Sequence, residues 1–356
     1  MKPCVWLRPF FFVSLAIVPF LLSSCGGKPA SKYTIGGTVS GLSGSGLVLQ
    51  DNGGDNLPVS ANGSFTFATA IDSGAAYTVT VLTQPSSPAQ VCTVAGGSGT
   101  AAANVTSVQV TCATTTYTIG GTVAGLSGSG LVLQDNGGDN LPVSANGSFT
   151  FATAVASGAA YSVTVLTQPS SPAQVCTVAN GSGKATANVT NVQIACTTET
   201  YTIGGTVSGL SGAGLVLEDN GADKLPIAVN GSFTFPTALD SGAAYNVTVL
   251  TQPSGPAQVC TVSNGTGTAN ANVTNVQIAC TTTTYTIGGN VSGLSGSGLV
   301  LQDNGGDNLP VSANGGFTFP TALDSGAAYN VTVLTQPSSP AQVCTVANGT
   351  DRKSVV

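Results

Sequence analysis

The chain has 356 residues, with eight basic and fourteen acidic side chains, nine cysteines and no histidine. The missing histidine removes the commonest general base, the commonest metal ligand and every Ser-His-Asp arrangement. Between residues 33 and 350, thirteen acidic side chains stand against only Lys184 and Lys224. Such a surface cannot neutralise phosphates, which excludes nucleic acid as a partner.

Residues 1–24 read as an export signal. Lys2 and Arg8 supply a positive n-region, and Phe10 to Leu22 form an apolar run too short to span a bilayer. Leu22-Ser23-Ser24-Cys25 then resembles the bacterial lipobox. The resemblance implies diacylglyceryl transfer to the Cys25 thiol and a cleavage that makes Cys25 the first mature residue; Cys4 falls in the discarded part. Several acyl chains on one residue anchor a protein stably to a membrane, where a single chain does not. Gly26, not an aspartate, follows Cys25. By resemblance to Gram-negative sorting this implies the outer membrane and the cell surface. Residues 25–32 are therefore read as the lipidated cysteine and a short flexible tether.

From Tyr33 the sequence repeats every 84 residues, with Tyr117, Tyr201 and Tyr285 reopening the same run. The predicted modules are 33–116, 117–200, 201–284 and a shortened 285–350. Arrays of this kind display, space or bind more often than they catalyse.

Within the first module, Tyr33 to Val39 alternates about a Gly36-Gly37 pair that reads as a bulge. Leu47 to Asp51 is the next strand. Asn52-Gly53 predicts a type I′ hairpin turn, because both central residues need positive φ. Asn56 to Val59 is the return strand, and Pro58, which has no N–H, marks it as an edge. Asn62-Gly63 predicts a further turn before Ser64 to Phe67. Tyr77, Val79 and Val81 share one face of the following strand, with threonines on the other. Gln84-Pro85-Ser86-Ser87-Pro88 breaks the chain before Val91 to Val94 and Val108 to Cys112.

The result is an all-β fold, a tandem array of about seven-stranded β-sandwich modules joined by short Thr-rich linkers. Leu47, Leu49, Phe65, Phe67, Tyr77, Val79, Val81, Val108 and Val110 are the expected core. Tyr77, Tyr161, Tyr245 and Tyr329 each open a strand and resemble a tyrosine corner, a structural role.

Cys92/Cys112, Cys176/Cys196 and Cys260/Cys280 recur 20 residues apart at matching positions. In an exported chain such pairs oxidise, and closing a loop of that size contributes about 3 kcal/mol in the chain-entropy model. Two thiols without a histidine are a poor metal set. Cys344 has no partner in the sequence.

Asp51 and Asp55 in the DNGGD loop return as Asp135 and Asp139, Asp219 and Asp223, Asp303 and Asp307. Close oxygen ligands in a Gly-rich loop are candidate calcium ligands, while a polar hairpin turn explains the same residues. The turn is the preferred reading, because Lys224 replaces an asparagine in the third copy and would repel a cation. The Ser40 to Gly46 loop lacks the lysine of a phosphate loop.

The linkers 113–116, 197–200 and 281–284 are mostly threonine. They predict an extended, semi-stiff rod on the order of 120–150 Å long at the rise of a β-strand. After Thr350 the repeat gives way to Asp351–Val356, DRKSVV, which reads as the translation of a common sequencing-adapter oligonucleotide. The expectation is that 351–356 is an artefact and that the natural chain continues, bringing a partner for Cys344 and a missing C-terminal domain.

Taken together, the G-x-V opening, the D-x-x-G turn, the N-G-x-F strand and the G-x-x-Y-x-V strand resemble bacterial extracellular β-sandwich modules. The groups concerned are the immunoglobulin-like, transthyretin-like and collagen-adhesin B-type repeats. The resemblance covers residues 33–350 and implies a cell-surface role; no catalytic residues carry over from it. The expected function is a lipid-anchored extracellular repeat rod, a stalk or display protein. The alternative is an adhesin-like module binding surface glycan or protein, with or without calcium. No acid–base or nucleophile–base constellation points to an enzyme.

Overall fold

A computed structural model describes residues 30–351. The stretch read as an export signal, Cys25 and the tail from residue 352 lie outside the described residues. The described residues form two compact units, which divide between Thr115 and Thr116.

The first unit holds one repeat. Its strands are β1 (Lys32–Tyr33), β2 (Ile35–Ser40), β3 (Leu47–Asp51), β4 (Asp55–Val59), β5 (Gly63–Thr66), β6 (Ile71–Asp72), β7 (Ala76–Thr83), β8 (Gln90–Ala95), β9 (Ser98–Thr100) and β10 (Val105–Thr114). Two four-stranded sheets, ordered β5-β2-β10-β8 and β4-β3-β7-β9, form a sandwich, and β1 pairs with β6. The all-β sandwich is as expected, with more strands than the seven foreseen. The predicted first strand divides at Thr34, and β6 and β9 are too short to show an alternation of their own.

The pleat dictates the core. Along β10, Val108, Val110 and Cys112 are buried while Gln109 and Thr111 between them are exposed. Tyr77 and Val79 of β7 point inward to meet Leu47, Leu49, Phe65 and Phe67, with Val81 half-buried beside them. Phe65 and Phe67 meet edge to face, their ring centroids 5.8 Å apart.

One expectation about glycine is corrected. The bulge lies opposite the Gly36-Gly37 pair: β10 runs parallel to β2 and carries one extra residue between Val105, paired with Ile35, and Val108, paired with Gly37. The glycines serve close approach, since a Cβ on Gly37 would collide with the main chain of Val108. Asn62-Gly63 turns the chain from β4 into β5, which belongs to the other sheet. Pro58 does mark an edge, for β4 is the outer strand of its sheet.

The second unit holds three repeats. The first two of them reproduce both four-stranded sheets, each around its own core. Here the threonine linkers turn out to be strand residues. One strand ends at Thr198 and the next begins at Thr200; likewise Thr282 and Thr284. The single residue between is held from both sides: Glu199 N–H donates to Ala173 O at 3.0 Å, and Ser241 N–H donates to Glu199 O at 2.8 Å. Ala173 N–H in turn donates to Ser241 Oγ at 3.0 Å, and Ala257 N–H to Ser325 Oγ at 3.1 Å. Ser241 and Ser325 are buried at these junctions.

The last repeat differs. Gly288–Val291 pairs only with Gly315–Thr318, and no strand equivalent to β8 or β10 occurs there among the described residues.

Candidate functional site

The DNGGD loop, DNGAD in the third repeat, recurs in every module. β3 and β4 set Asp51 and Asp55 opposite each other at its base. Asn52 (φ 46°) and Gly53 (φ 71°) both lie in the left-handed region, and Gly54 N–H donates to Asp51 O at 3.1 Å. This is the type I′ geometry that Asn-Gly predicts, followed by one extra residue.

Both carboxylates are committed to the backbone. Asp51 is buried, and its Oδ1 accepts the N–H of Thr78 at 3.1 Å. Burial pushes its carboxyl above the ordinary carboxylate range, with the Thr78 and Asn52 N–H groups pulling the other way and the Asp55 charge adding to the rise. Asp55 Oδ2 accepts the N–H of Thr69 at 2.8 Å. Asp135, Asp219 and Asp303 repeat the first contact with Ser162, Asn246 and Asn330 at 2.8–2.9 Å. Asp139, Asp223 and Asp307 repeat the second with Thr153, Thr237 and Thr321 at 2.8–3.1 Å.

The pair thus ties the β3–β4 hairpin to β7 and to the loop before β6. Calcium takes about six to eight oxygen ligands. Each hairpin offers two carboxylates with one oxygen each already engaged. Among the described residues, no group of three or more His, Cys, Asp or Glu side chains could hold a metal ion. Lys224 has a different neighbour from the one considered in the sequence: it sits directly opposite Glu218. In the first repeat the same two places hold Gln50 and Asn56, bonded at 2.8 Å. The position is a cross-strand partner on an exposed face.

Three amides whose contacts the sequence did not foretell organise the loops. Gln90, buried at 3% exposure, accepts from Ser43 and Gly44 N–H at 2.8 and 2.7 Å and donates to Gly41 O at 2.8 Å. Asn62 accepts from Leu42 N–H and donates to Leu42 O, at 2.7 and 2.9 Å. Gln84 accepts the Cys92 N–H at 2.7 Å and donates to its carbonyl at 3.1 Å. The Ser40–Gly46 loop is therefore a built surface. The one signal available was that these amides recur in every copy amid apolar or small residues.

The cysteines pair as Cys92–Cys112, Cys176–Cys196 and Cys260–Cys280. Each bond joins residues directly opposite across the β8–β10 ladder or its equivalent. Both sulfurs face the core because each cysteine alternates along its strand with exposed residues, Val91 and Thr93 on β8 and Thr111 and Ala113 on β10. Cys344 is free and half-buried.

No protein-family model matches the chain, and no curated protein matches it. Solved structures align with it, among them the following two. The TIE protein of Bacillus anthracis is 10% identical, with a TM-score of 0.41 over 86% of this chain and 64% of that one. The chain thus spans less than two thirds of that structure's length. Two B repeat units of the collagen-binding protein of Staphylococcus aureus are 16% identical, with a TM-score of 0.22 over 70% and 75% of the two chains.

Proposed function

We propose that the chain is a surface-display stalk of the bacterial envelope, tethered through a lipid on Cys25 and built to hold what it carries away from the membrane. The supporting observation is that each complete repeat closes on itself, with its own core, its own buried disulfide and a self-contained hairpin. Modules of this kind can be added or lost without re-forming a common core, which suits spacing. Their polar chemistry is absorbed in holding loops, and among the described residues it leaves no acid–base pair aimed at a substrate.

The experiment has two arms. Labelled palmitate should enter the wild-type chain and not Cys25→Ser, and the mature protein should fractionate with the outer membrane. Small-angle scattering of the soluble residues 26–350 should give an elongated particle. A compact globule would remove the stalk, and labelling of the serine variant would remove the anchor.

A second reading has its own support. Every repeat exposes one leucine, Leu82, Leu166, Leu250 and Leu334, at 45–50%. Every repeat also exposes the valine before its second-sheet cysteine, Val91, Val175, Val259 and Val343, and the third and fourth add Val229 and Val346. Apolar contacts repeated along an array give avidity to an adhesin that meets glycan or protein weakly at each module. Binding to immobilised surface ligands should then rise steeply with repeat number; an affinity independent of repeat number rules this out.

A further inference from the structure

The strands that open and close each complete repeat's second sheet lie side by side. In the first repeat β2 and β10 run parallel, with Ile35 opposite Val105 and Ser40 opposite Thr111. Ile119–Ala124 pairs in the same way with Val189–Thr198, and Ile203–Ser208 with Val273–Thr282. Parallel pairing puts the entry to β2 at one end of the ladder and the exit from β10 at the other. A pull on the two ends of a repeat therefore slides the strands along each other and loads their evenly spaced hydrogen bonds together. An antiparallel pair in the same place would part from one end, bond by bond.

β2 is held against sliding on its other edge and at its tail. It pairs with β5, from Gly36 opposite Thr66 to Val39 opposite Gly63. The loop behind it is anchored by Gln90 of β8, which takes the Ser43 and Gly44 N–H groups and donates to Gly41 O. Asn62 holds Leu42 from the other side. Gln174 and Gln258 repeat the first set of bonds, and Asn146 and Asn230 the second.

The disulfide sits where load leaves the repeat. Cys112 lies near the end of β10, which stops at Thr114, and its bond to Cys92 spans a separation of 20 residues. Tension arriving at Thr114 crosses the S–S bond to Cys92 and does not enter residues 93–111. The part of β8 that pairs with Gln109–Thr111 is therefore shielded when β2 gives way. Between repeats of the second unit there is little slack. One strand ends at Thr198 and the next begins at Thr200, with Glu199 hydrogen-bonded on both sides.

We propose that the repeats have a mechanical function: each complete one is a shear-loaded clamp that bears tension, with a covalent stop that limits its extension. The source of the load rests on the stalk reading. The test below needs neither the lipid nor an elongated shape, so the two readings fail separately.

The full chain is stretched between handles at its two ends in a single-molecule force experiment. Three opening events of one size are expected, one for each disulfide-bearing repeat. In a second geometry the far handle is moved to Ala103, an exposed residue between β9 and β10. Pulling there peels β2 from β10, starting at the Ile35–Val105 end. The first repeat should then open at less than about half the end-to-end force, because its bonds break in turn. Replacing both Cys92 and Cys112 by alanine should lengthen one of the three end-to-end events by about 70 Å, the reach of the freed residues, and leave two unchanged. Reduction of the wild-type chain should lengthen all three equally. An end-to-end force no higher than the peeling force would overturn the clamp. Events whose length ignores the disulfide would overturn the stop.

Discussion

The third and fourth repeats share nearly one sequence up to Gly349 and differ in what surrounds it. In the third, Ile203, Val207, Phe233 and Cys260 are buried by a central strand. In the fourth the fully buried core shrinks to Leu294, Leu299, Leu301, Phe319 and Val331, which belong chiefly to the other sheet and its approaches. The hairpin sheet needs only its own strands, whereas the cysteine sheet needs a strand that arrives late in the repeat. The same side chains are thus core in one module and surface in the next, because burial belongs to the neighbour as much as to the residue.

Paired substitutions sharpen this contrast, and the largest expected effect comes from glycine. Gly205→Val drives a side chain into the Val276 main chain and should cost more than about 4 kcal/mol, unfolding the third repeat. Gly289→Val meets only the Phe317 ring, which has room to turn, and should stay within about 0.5 kcal/mol. Hydrogen exchange resolved by repeat measures both; equal losses would break the comparison. Reduction of the disulfides should follow. It should weaken the third repeat by about 3 kcal/mol and leave the fourth unchanged, bringing their denaturation midpoints together.

Gln258→Ala comes next. It strands the Ser211 and Gly212 N–H groups and the Gly209 carbonyl in a buried site, for about 2–3 kcal/mol. Gln342→Ala does the same in a more open site and should cost about 1 kcal/mol. Ser325→Ala removes the acceptor for Ala257 N–H where the two repeats meet, and about 1 kcal/mol is expected from calorimetry of the pair.

The smallest effect concerns a complete module and pH. The folded carboxyl of Asp51 titrates above its unfolded value. Its protonated form is therefore favoured by folding, and that contribution is present at low pH and lost as pH rises through the folded value. Asp51→Asn, which mimics the neutral form, should gain on the wild type in melting temperature from acid to neutral pH. A difference that does not vary with pH would contradict it. Calcium should leave the melting temperature where it was, since a ligand that bound the fold would raise it.

Much of this was legible in advance for local reasons. Alternation of apolar residues fixed which side chains of β7 and β10 turn inward, because the pleat has a period of two. Asn52-Gly53 announced its turn, because few residues tolerate positive φ, and Pro58 its edge, because it lacks a donor. The cysteine pairs were visible as a constant 20-residue interval. The amides at Gln84, Gln90 and Asn62 were not legible, since their partners Cys92, Gly44 and Leu42 come close only when sheets and loops are folded together. Nor was the second function of the aspartates: a DNGGD string looks the same whether its oxygens face a cation or the N–H groups of Thr78 and Thr69.

By itself the sequence determined the period, the strands, their inward faces and the thiols that meet, all of which follow from geometry within a few residues. Only the tertiary structure decided which strand lies beside which. The parallel pairing of β2 with β10 joins residues 70 apart, beyond the reach of any local pattern. It also decided that Gly36-Gly37 is a place of close approach, that the threonine linkers are strand ends clamped by a neighbour, and that Ile287, Val291 and Cys344 are less buried than their counterparts Ile203, Val207 and Cys260.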